Sequence, residues 1–201
     1  MPILPSQLRQ HIAQATARLI VQEGIHDYQL AKQKAAAQLG VADTKHLPSN
    51  SEIEEEIILY NRLFNDNAHT SNLTRLRHVA LKAMRLFEDF SPRLVGSVLS
   101  GTAPKYADVT LHVFANSPEE IAFFLLERDM PYELSERCYR LPHNPNACYP
   151  CYTFIAGEDC IMLIVFGVDD VRWSPPSPDG KSIKRASIKA VEKLIKGHCD
   201  E

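Results

Sequence analysis

The fold of the second half of the chain is decided by residues 95–114, which read V-G-S-V-L-S-G-T-A-P-K-Y-A-D-V-T-L-H-V-F. An apolar segment leads into a Gly-Ser turn, a loop carries a second glycine, and an alternating segment begins at an aspartate. Alternation of polar and apolar side chains is typical of a strand with one buried face. The stretch therefore predicts two strands, 93–99 and 108–115, joined by a glycine-containing loop.

The second of these strands carries polar side chains on one face only. Because successive side chains point to opposite sides of a strand, Asp108, Thr110 and His112 are expected to share a face. Val109, Leu111 and Val113 then form the opposite, buried face. We interpret His112 as a half-buried histidine with a satisfied hydrogen bond, and the alternative is a metal ligand.

Outward from this stretch, the pattern predicts an α+β fold with a helical N-terminal segment. Residues 1–70 show helical spacing of apolar side chains, an N-cap at Asp27 and the capping box Ser49-x-x-Glu52. The polar segment 65–71 is predicted to be a loop and to mark the boundary between two domains. Beyond it the sequence predicts a small mixed sheet flanked by helices, so the organisation is a helical region, 1–70, and an α+β core, 71–201. Within the core, strands are predicted at 151–155 and 160–167, joined as a hairpin by the turn Gly157-Glu158-Asp159.

Composition narrows the function classes. The 201 residues are 45% hydrophobic and 23% charged, which is typical of a globular protein. The net charge of −3 disfavours nucleic acid as a partner. The longest apolar run is too short to span a membrane, and residues 1–8 do not resemble a signal peptide. We therefore expect a cytoplasmic protein that does not bind membranes and whose five cysteines are free thiols.

The glycine and aspartate spacing resembles the nucleotidyltransferase superfamily of the DNA polymerase beta type. Its small bacterial members read G-S-x-A-R-G-x-A, followed after a few residues by S-D-x-D-L. Gly96 and Ser97 match the Gly-Ser pair, Gly101 matches the second glycine, and Asp108 matches the first carboxylate. The motif covers about twenty residues, and the order of elements extends the resemblance to roughly 71–170.

The resemblance implies a reaction, a cofactor and a set of site residues. It implies transfer of a nucleotide monophosphate from a nucleoside triphosphate to an unknown acceptor, with Mg²⁺ held by Asp108. Gly96, Ser97, Gly101 and Thr102 would contact the phosphates, because glycine lets backbone amides approach closely. Thr110 occupies the position of the second metal-binding carboxylate and would be an auxiliary ligand.

This sequence departs from the family pattern where catalysis depends on it. The second carboxylate is Thr110, the arginine position is Ser100, and the serine before the first aspartate is Ala107. The apolar run 161–166 contains no third acid. Asp159 lies at its start, Asp169 and Asp170 lie beyond its end, and Asp159 and Asp170 are the first candidates. We therefore retain two functions: a divergent nucleotidyltransferase, in which transfer is either kept or lost, and a non-catalytic module that binds a nucleotide or, through the helical N-terminal region, a protein. If Gly96 and Gly101 only shape a turn, neither nucleotide function follows.

Two further features allow alternatives. Cys148 and Cys151 form a C-x-x-C that would need Cys138, His143 and Cys160 to complete a zinc site. The simpler interpretation is that Cys151 and Cys160 are small apolar residues at the two ends of a hairpin. Trp173 either stacks on a nucleobase or anchors the proline-rich loop that follows it.

Overall fold

The computed structural model describes residues 5–25, 27–41, 47–64, 66–104, 106–141, 144, 147–177 and 180–197. These residues form helices and a five-stranded sheet, which confirms the α+β class and the helical N-terminal segment. Contacts divide the chain into two units, Met1–Thr70 and Ser71–Glu201. In the part of the chain that is described, no helix combines the length and the apolar character that crossing a membrane requires.

The first unit is built from helices α1 (Pro5–Glu23), α2 (Tyr28–Gln38) and α3 (Asn50–Phe64). Its core includes Ala13, Ile53 and Ile57. Both predicted capping signals are confirmed. Asp27 accepts hydrogen bonds from the amides that open α2. Glu52 accepts from the Ser49 amide at 2.7 Å and its own amide donates to Ser49 Oγ at 3.3 Å, so each residue satisfies a free group of the other.

The predicted loop at 65–71 is wrong, because α4 (Asp66–Leu86) begins inside it. The segment is polar but contains neither glycine nor proline, and polar residues continue a helix when one face is buried. The division between the two units falls within this helix. From Leu73 onward, α4 contributes one apolar face to the core of the second unit.

The sheet of the second unit runs in the order β1-β2-β5-β4-β3. Its strands are β1 (Arg93–Val95), β2 (Val109–Ala115), β3 (Tyr132–Tyr139), β4 (Ala147–Ala156) and β5 (Asp159–Gly167). Strand β2 pairs antiparallel with β1 and parallel with β5, whereas the β3-β4 and β4-β5 pairs are antiparallel. The hairpin predicted between β4 and β5 is confirmed, with Gly157 at φ 71° in its turn.

The two faces of the sheet differ in what covers them. One face, which we call the helical face, is covered by helices α4, α6 (Pro118–Leu126) and α7 (Ile188–Lys196). The side chains of Val109, Leu111 and Val113 lie on this face and are fully buried. The other face, here called the open face, carries Thr110 and His112 together with an aromatic cluster. The predicted sidedness of β2 is therefore confirmed.

Two predicted strands have different bounds. The first ends at Val95 because Gly96 turns the chain with φ 75° and ψ −157°, and Ser97–Ser100 form a short helix, α5. The strand predicted at 151–155 extends over ten residues as β4, because its pairing with β3 continues past Pro150.

The expectation that all cysteines are free thiols is wrong for one pair. Cys138 on β3 and Cys148 on β4 lie directly opposite each other in the ladder and form a disulfide. Cys151 and Cys160 are free, and Cys199 lies outside the described residues. Sequence spacing alone does not identify cross-strand partners, because the pair depends on the register of the hairpin.

Candidate functional site

The Gly-Ser turn lies against the strand that carries the aspartate. The backbone of Gly96 has a conformation that only glycine adopts readily. A Cβ at Gly96 would lie 4.0 Å from both Cβ and Oγ1 of Thr110. Gly96 therefore lies next to Thr110, with room for one methyl group between them.

Asp108 lies just before β2 with an exposed side chain. Because Val109 pairs with Ile161, the residue next to Asp108 on β5 is Cys160. Burial and the hydrogen bond and charge of Asp108 raise the pKa of the Cys160 thiol to about 11. A neutral thiol thus donates to the one carboxylate that the site has. Sequence reasoning missed this contact, because the apolar run of β5 shows no alternation that would assign Cys160 to a face.

The open face of β5 carries no acidic side chain that could serve as a third carboxylate. Asp159 has the same parity as Ile161 and Leu163, so it points to the helical face. There Arg75 of α4 donates to both of its carboxylate oxygens, at 2.7 and 2.6 Å. Asp170 lies beyond the other end of β5, in a 3-10 turn. The two candidates named from the sequence therefore do not join Asp108.

The loop after the turn is held by its own hydrogen bonds. Gly101 has φ 87° and its amide donates to the Ser97 carbonyl at 2.9 Å, which ends α5. Thr102 is buried, and its hydroxyl lies 2.9 Å from Ser100 Oγ. The Thr102 side chain, which the resemblance assigns to the phosphates, is therefore engaged inside the loop.

A buried cation lies beneath this loop. Arg77 of α4 is 4% exposed, and its Nε donates to the Val98 carbonyl at 3.3 Å. Burial lowers the pKa of this guanidinium. A Cβ on Gly101 would lie 3.8 Å from Nη2 of Arg77, so α4 and the loop are closely packed. Sequence analysis did not single out Arg77, because its position on a helix resembles that of any other surface cation.

His112 is buried, with 1% of its surface exposed, and its Nδ1 accepts a hydrogen bond from Nε of Arg185 at 2.9 Å. Burial and the adjacent Arg185 charge lower the pKa of His112 to about 3, so the ring is neutral. Nη1 of Arg185 donates to the carbonyls of Asp170 and Trp173. The satisfied hydrogen bond predicted for His112 is present, but the ring is fully buried and not half-buried. The hydrogen bond ties the imidazole to the segment that precedes α7.

Two aromatic side chains remain near the polar groups. Tyr106, two residues before Asp108, is 84% exposed. Trp173 is partly exposed, and its backbone carbonyl is bonded to Arg185. Tyr106 was not singled out from the sequence, although an exposed aromatic side chain beside a predicted site residue is a usable indication.

The C-x-x-C does not form one site. Cys151 is buried on the open face with Phe114 and Phe166, whereas Cys148 points to the other side of β4 and bonds Cys138. Residues three apart on a strand face opposite ways, which explains the separation. Of the residues named to complete a zinc site, His143 lies outside the described residues.

The donors around Asp108 are too few for two magnesium ions. Mg²⁺ binds through one or two carboxylates together with substrate phosphates. Asp108 supplies one carboxylate and Thr110 a hydroxyl, while Cys160 supplies a thiol, which Mg²⁺ disfavours. On the open face of the described strands β2 and β5, no second acid stands beside Asp108.

Comparison of the chain with protein-family models, with curated proteins and with solved structures found no match.

Proposed function

We propose that this protein is a divergent, inactive member of the nucleotidyltransferase-like group that binds a nucleoside triphosphate at the turn of Gly96 and Ser97. Asp108 would hold a single Mg²⁺ bridging the phosphates, and the exposed ring of Tyr106 would stack on the base. The observation that carries the proposal is that Gly96 lies next to Thr110, with room for one methyl group between them. Val95, the residue before the turn, pairs with Thr110, so the Gly-Ser turn begins beside the end of β2 that follows Asp108.

The order of the central strands supports the same proposal. A Gly-Ser turn after β1 and an aspartate at the start of β2 lie at one end of the sheet, and β5 lies parallel to β2. A bound triphosphate needs backbone donors for its oxygens and a cation to neutralise its charge; the turn would supply the donors, and Asp108 would hold the Mg²⁺.

Loss of transfer chemistry follows from the same residues. Two-metal catalysis clamps both the attacking and the leaving oxygen, which requires several acidic ligands on one face. Thr110 and Cys160 stand beside Asp108 where acids would be needed, and Arg75 holds Asp159 on the other face. We therefore expect binding without turnover.

Calorimetric titration with ATP, CTP, GTP and UTP, each in Mg²⁺ and in chelator, tests this function. We expect at least one triphosphate to bind in Mg²⁺ and to bind more weakly in chelator. Asp108→Asn should weaken Mg²⁺-dependent binding about tenfold or more. Thr110→Asp should strengthen it, because a second carboxylate adds a metal ligand.

A matched control is available in the same row of the sheet. Thr110 pairs with Met162, and Met162 pairs with Thr153 on the next strand, so Thr153→Asp adds the same charge two strands away. We expect Thr153→Asp to leave nucleotide affinity unchanged. Equal effects of Thr110→Asp and Thr153→Asp, or no effect of Asp108→Asn, would mean that the glycines only shape a turn. Pyrophosphate release by the wild type would overturn the assignment as inactive.

A second candidate function rests on the helical N-terminal region. Near the end of α3, Leu59, Leu63 and Phe64 are 48%, 65% and 68% exposed. They line a cavity of about 440 Å³ within the first unit together with Arg18 and Glu56. An apolar surface with a charged rim suits a protein partner. If the partner is a second copy of this chain, sedimentation should show concentration-dependent association, and Leu63→Asn should abolish it. A constant monomer mass would remove it.

A further inference from the structure

Three ligand-type side chains lie together at the end of the hairpin formed by β3 and β4. Glu136 and Cys138 are two residues apart on β3 and therefore share a face. Cys148 is the direct partner of Cys138 in the ladder. One ligand atom from each of Glu136, Cys138 and Cys148 lies within 4.8 Å of the other two, and all three side chains are exposed.

Reduction of the disulfide changes what this cluster can do. A phosphine reductant converts the disulfide into two thiols and takes up the oxygen of one water molecule. Two thiolates in a tetrahedral zinc site are about 3.8 Å apart, given Zn–S bonds of about 2.3 Å. The ligand atoms are already within 4.8 Å, so side-chain rotation with little strand movement meets that geometry.

We propose that Cys138, Cys148 and Glu136 bind one Zn²⁺ ion when the disulfide is reduced, with water in the fourth position. Binding releases the two thiol protons, because the thiolate is the metal ligand. Thiolate ligands select Zn²⁺ over Mg²⁺ and Ca²⁺, and the carboxylate supplies the third bond. The end of the hairpin is then closed either by the disulfide or by the zinc ion, according to redox conditions.

The other described cysteines do not join this site. Cys151 is 2% exposed within the aromatic cluster of the open face, and Cys160 lies beside Asp108. Cys160→Ser is therefore a matched control, since it removes one thiol and leaves the three proposed ligands in place. The proposal is independent of nucleotide binding at Gly96 and Asp108.

The test is a zinc titration of full-length protein reduced with a phosphine, in competition with a chromogenic chelator. We expect one tightly bound Zn²⁺ per chain in the reduced wild type and in Cys160→Ser. Cys138→Ser and Cys148→Ser should each lose at least a hundredfold in affinity, and Glu136→Gln at least tenfold. The oxidised wild type should bind no zinc at this affinity.

Cobalt provides a second measurement that does not depend on variants. Co²⁺ bound to the reduced wild type should give thiolate-to-cobalt charge-transfer absorption of a site with two sulfur ligands, and oxidation should abolish it. Absence of tight binding by the reduced wild type overturns the proposal. So does full affinity in Cys138→Ser, or equal affinity in oxidised and reduced protein. Unchanged affinity in Glu136→Gln would overturn the assignment of the third ligand.

Discussion

The buried His112 should make the second unit lose stability as the pH falls toward 5. Its ring accepts from Arg185, stands opposite Arg93 in the ladder, and has Tyr139 Oη at 3.5 Å from its Nε2. A proton on His112 would place a third positive charge beside Arg185 and Arg93. It would also remove the acceptor that Nε of Arg185 uses. Tyr139 offers no compensation, because burial raises its pKa to about 12 and keeps its hydroxyl neutral.

The size of this effect follows from the two pKa values. The folded-state pKa of His112 is about 3, below the ~6.5 of an unfolded chain. Because the folded value is depressed, this contribution to stability is complete above pH ~6.5 and is lost as the pH falls through the window toward 3. At pH 5 the difference amounts to a loss of about 2 kcal/mol relative to pH 8.

Urea unfolding at pH 8 and pH 5, followed by the fluorescence of Trp173, measures the loss. Trp173 is the single tryptophan and its carbonyl is bonded to Arg185, so it reports on this segment. His112→Asn retains an acceptor near the position of Nδ1 but cannot be protonated. We expect the wild type to lose about 2 kcal/mol more than His112→Asn between the two pH values. The exposed His78→Asn should behave as the wild type does. Equal losses in wild type and His112→Asn would refute the reasoning.

Three substitutions test other contacts by urea or thermal unfolding. Glu52→Ala removes a capping box and the exposed ion pair with Arg9, so the free energy of unfolding of the first unit should fall by about 1 kcal/mol. Glu52→Gln should recover part of that loss. No loss in Glu52→Ala would contradict the capping role. Gly96→Ala should lower the free energy of unfolding by about 1–3 kcal/mol, because alanine rarely adopts the backbone conformation of Gly96, although a Cβ would fit. An unchanged unfolding midpoint would exclude backbone strain at this position. Arg75→Met leaves the half-buried Asp159 without its cation, so the free energy of unfolding should fall by about 1–3 kcal/mol. Nucleotide affinity should not change. A changed affinity would place Asp159 in the nucleotide site.

Sequence periodicity predicted the parts of the fold in which one face alone is buried. In β2 the alternation of Val109, Thr110 and Leu111 gave the correct face for each side chain. In β5 both faces are covered, so the run is apolar throughout and Cys160 could not be assigned to a face. The helix at 66–71 was missed because polarity indicates exposure and does not distinguish a helix surface from a loop.

The Gly-Ser turn and Asp108 were singled out from their spacing, and their role as a ligand site stays a prediction. The structure adds neighbours that spacing could not supply. The pairing of Asp159 with Arg75 depends on how a helix packs on the sheet, over 84 residues of separation. The disulfide of Cys138 and Cys148 depends on the hairpin register. Contacts of both kinds are set by tertiary structure and have no local pattern.

The parallel pairing of β2 with β5 has a consequence for how the chain folds. Strands β3, β4 and β5 are joined by consecutive hairpins, so they can assemble from local contacts. Strand β2 reaches β5 only across α6, β3 and β4, and closing so long a loop carries an entropic cost before any contact forms. Asp108 and Cys160 lie on opposite sides of that late pairing. We therefore expect the candidate site to be absent from early folding intermediates and to form in the last cooperative step.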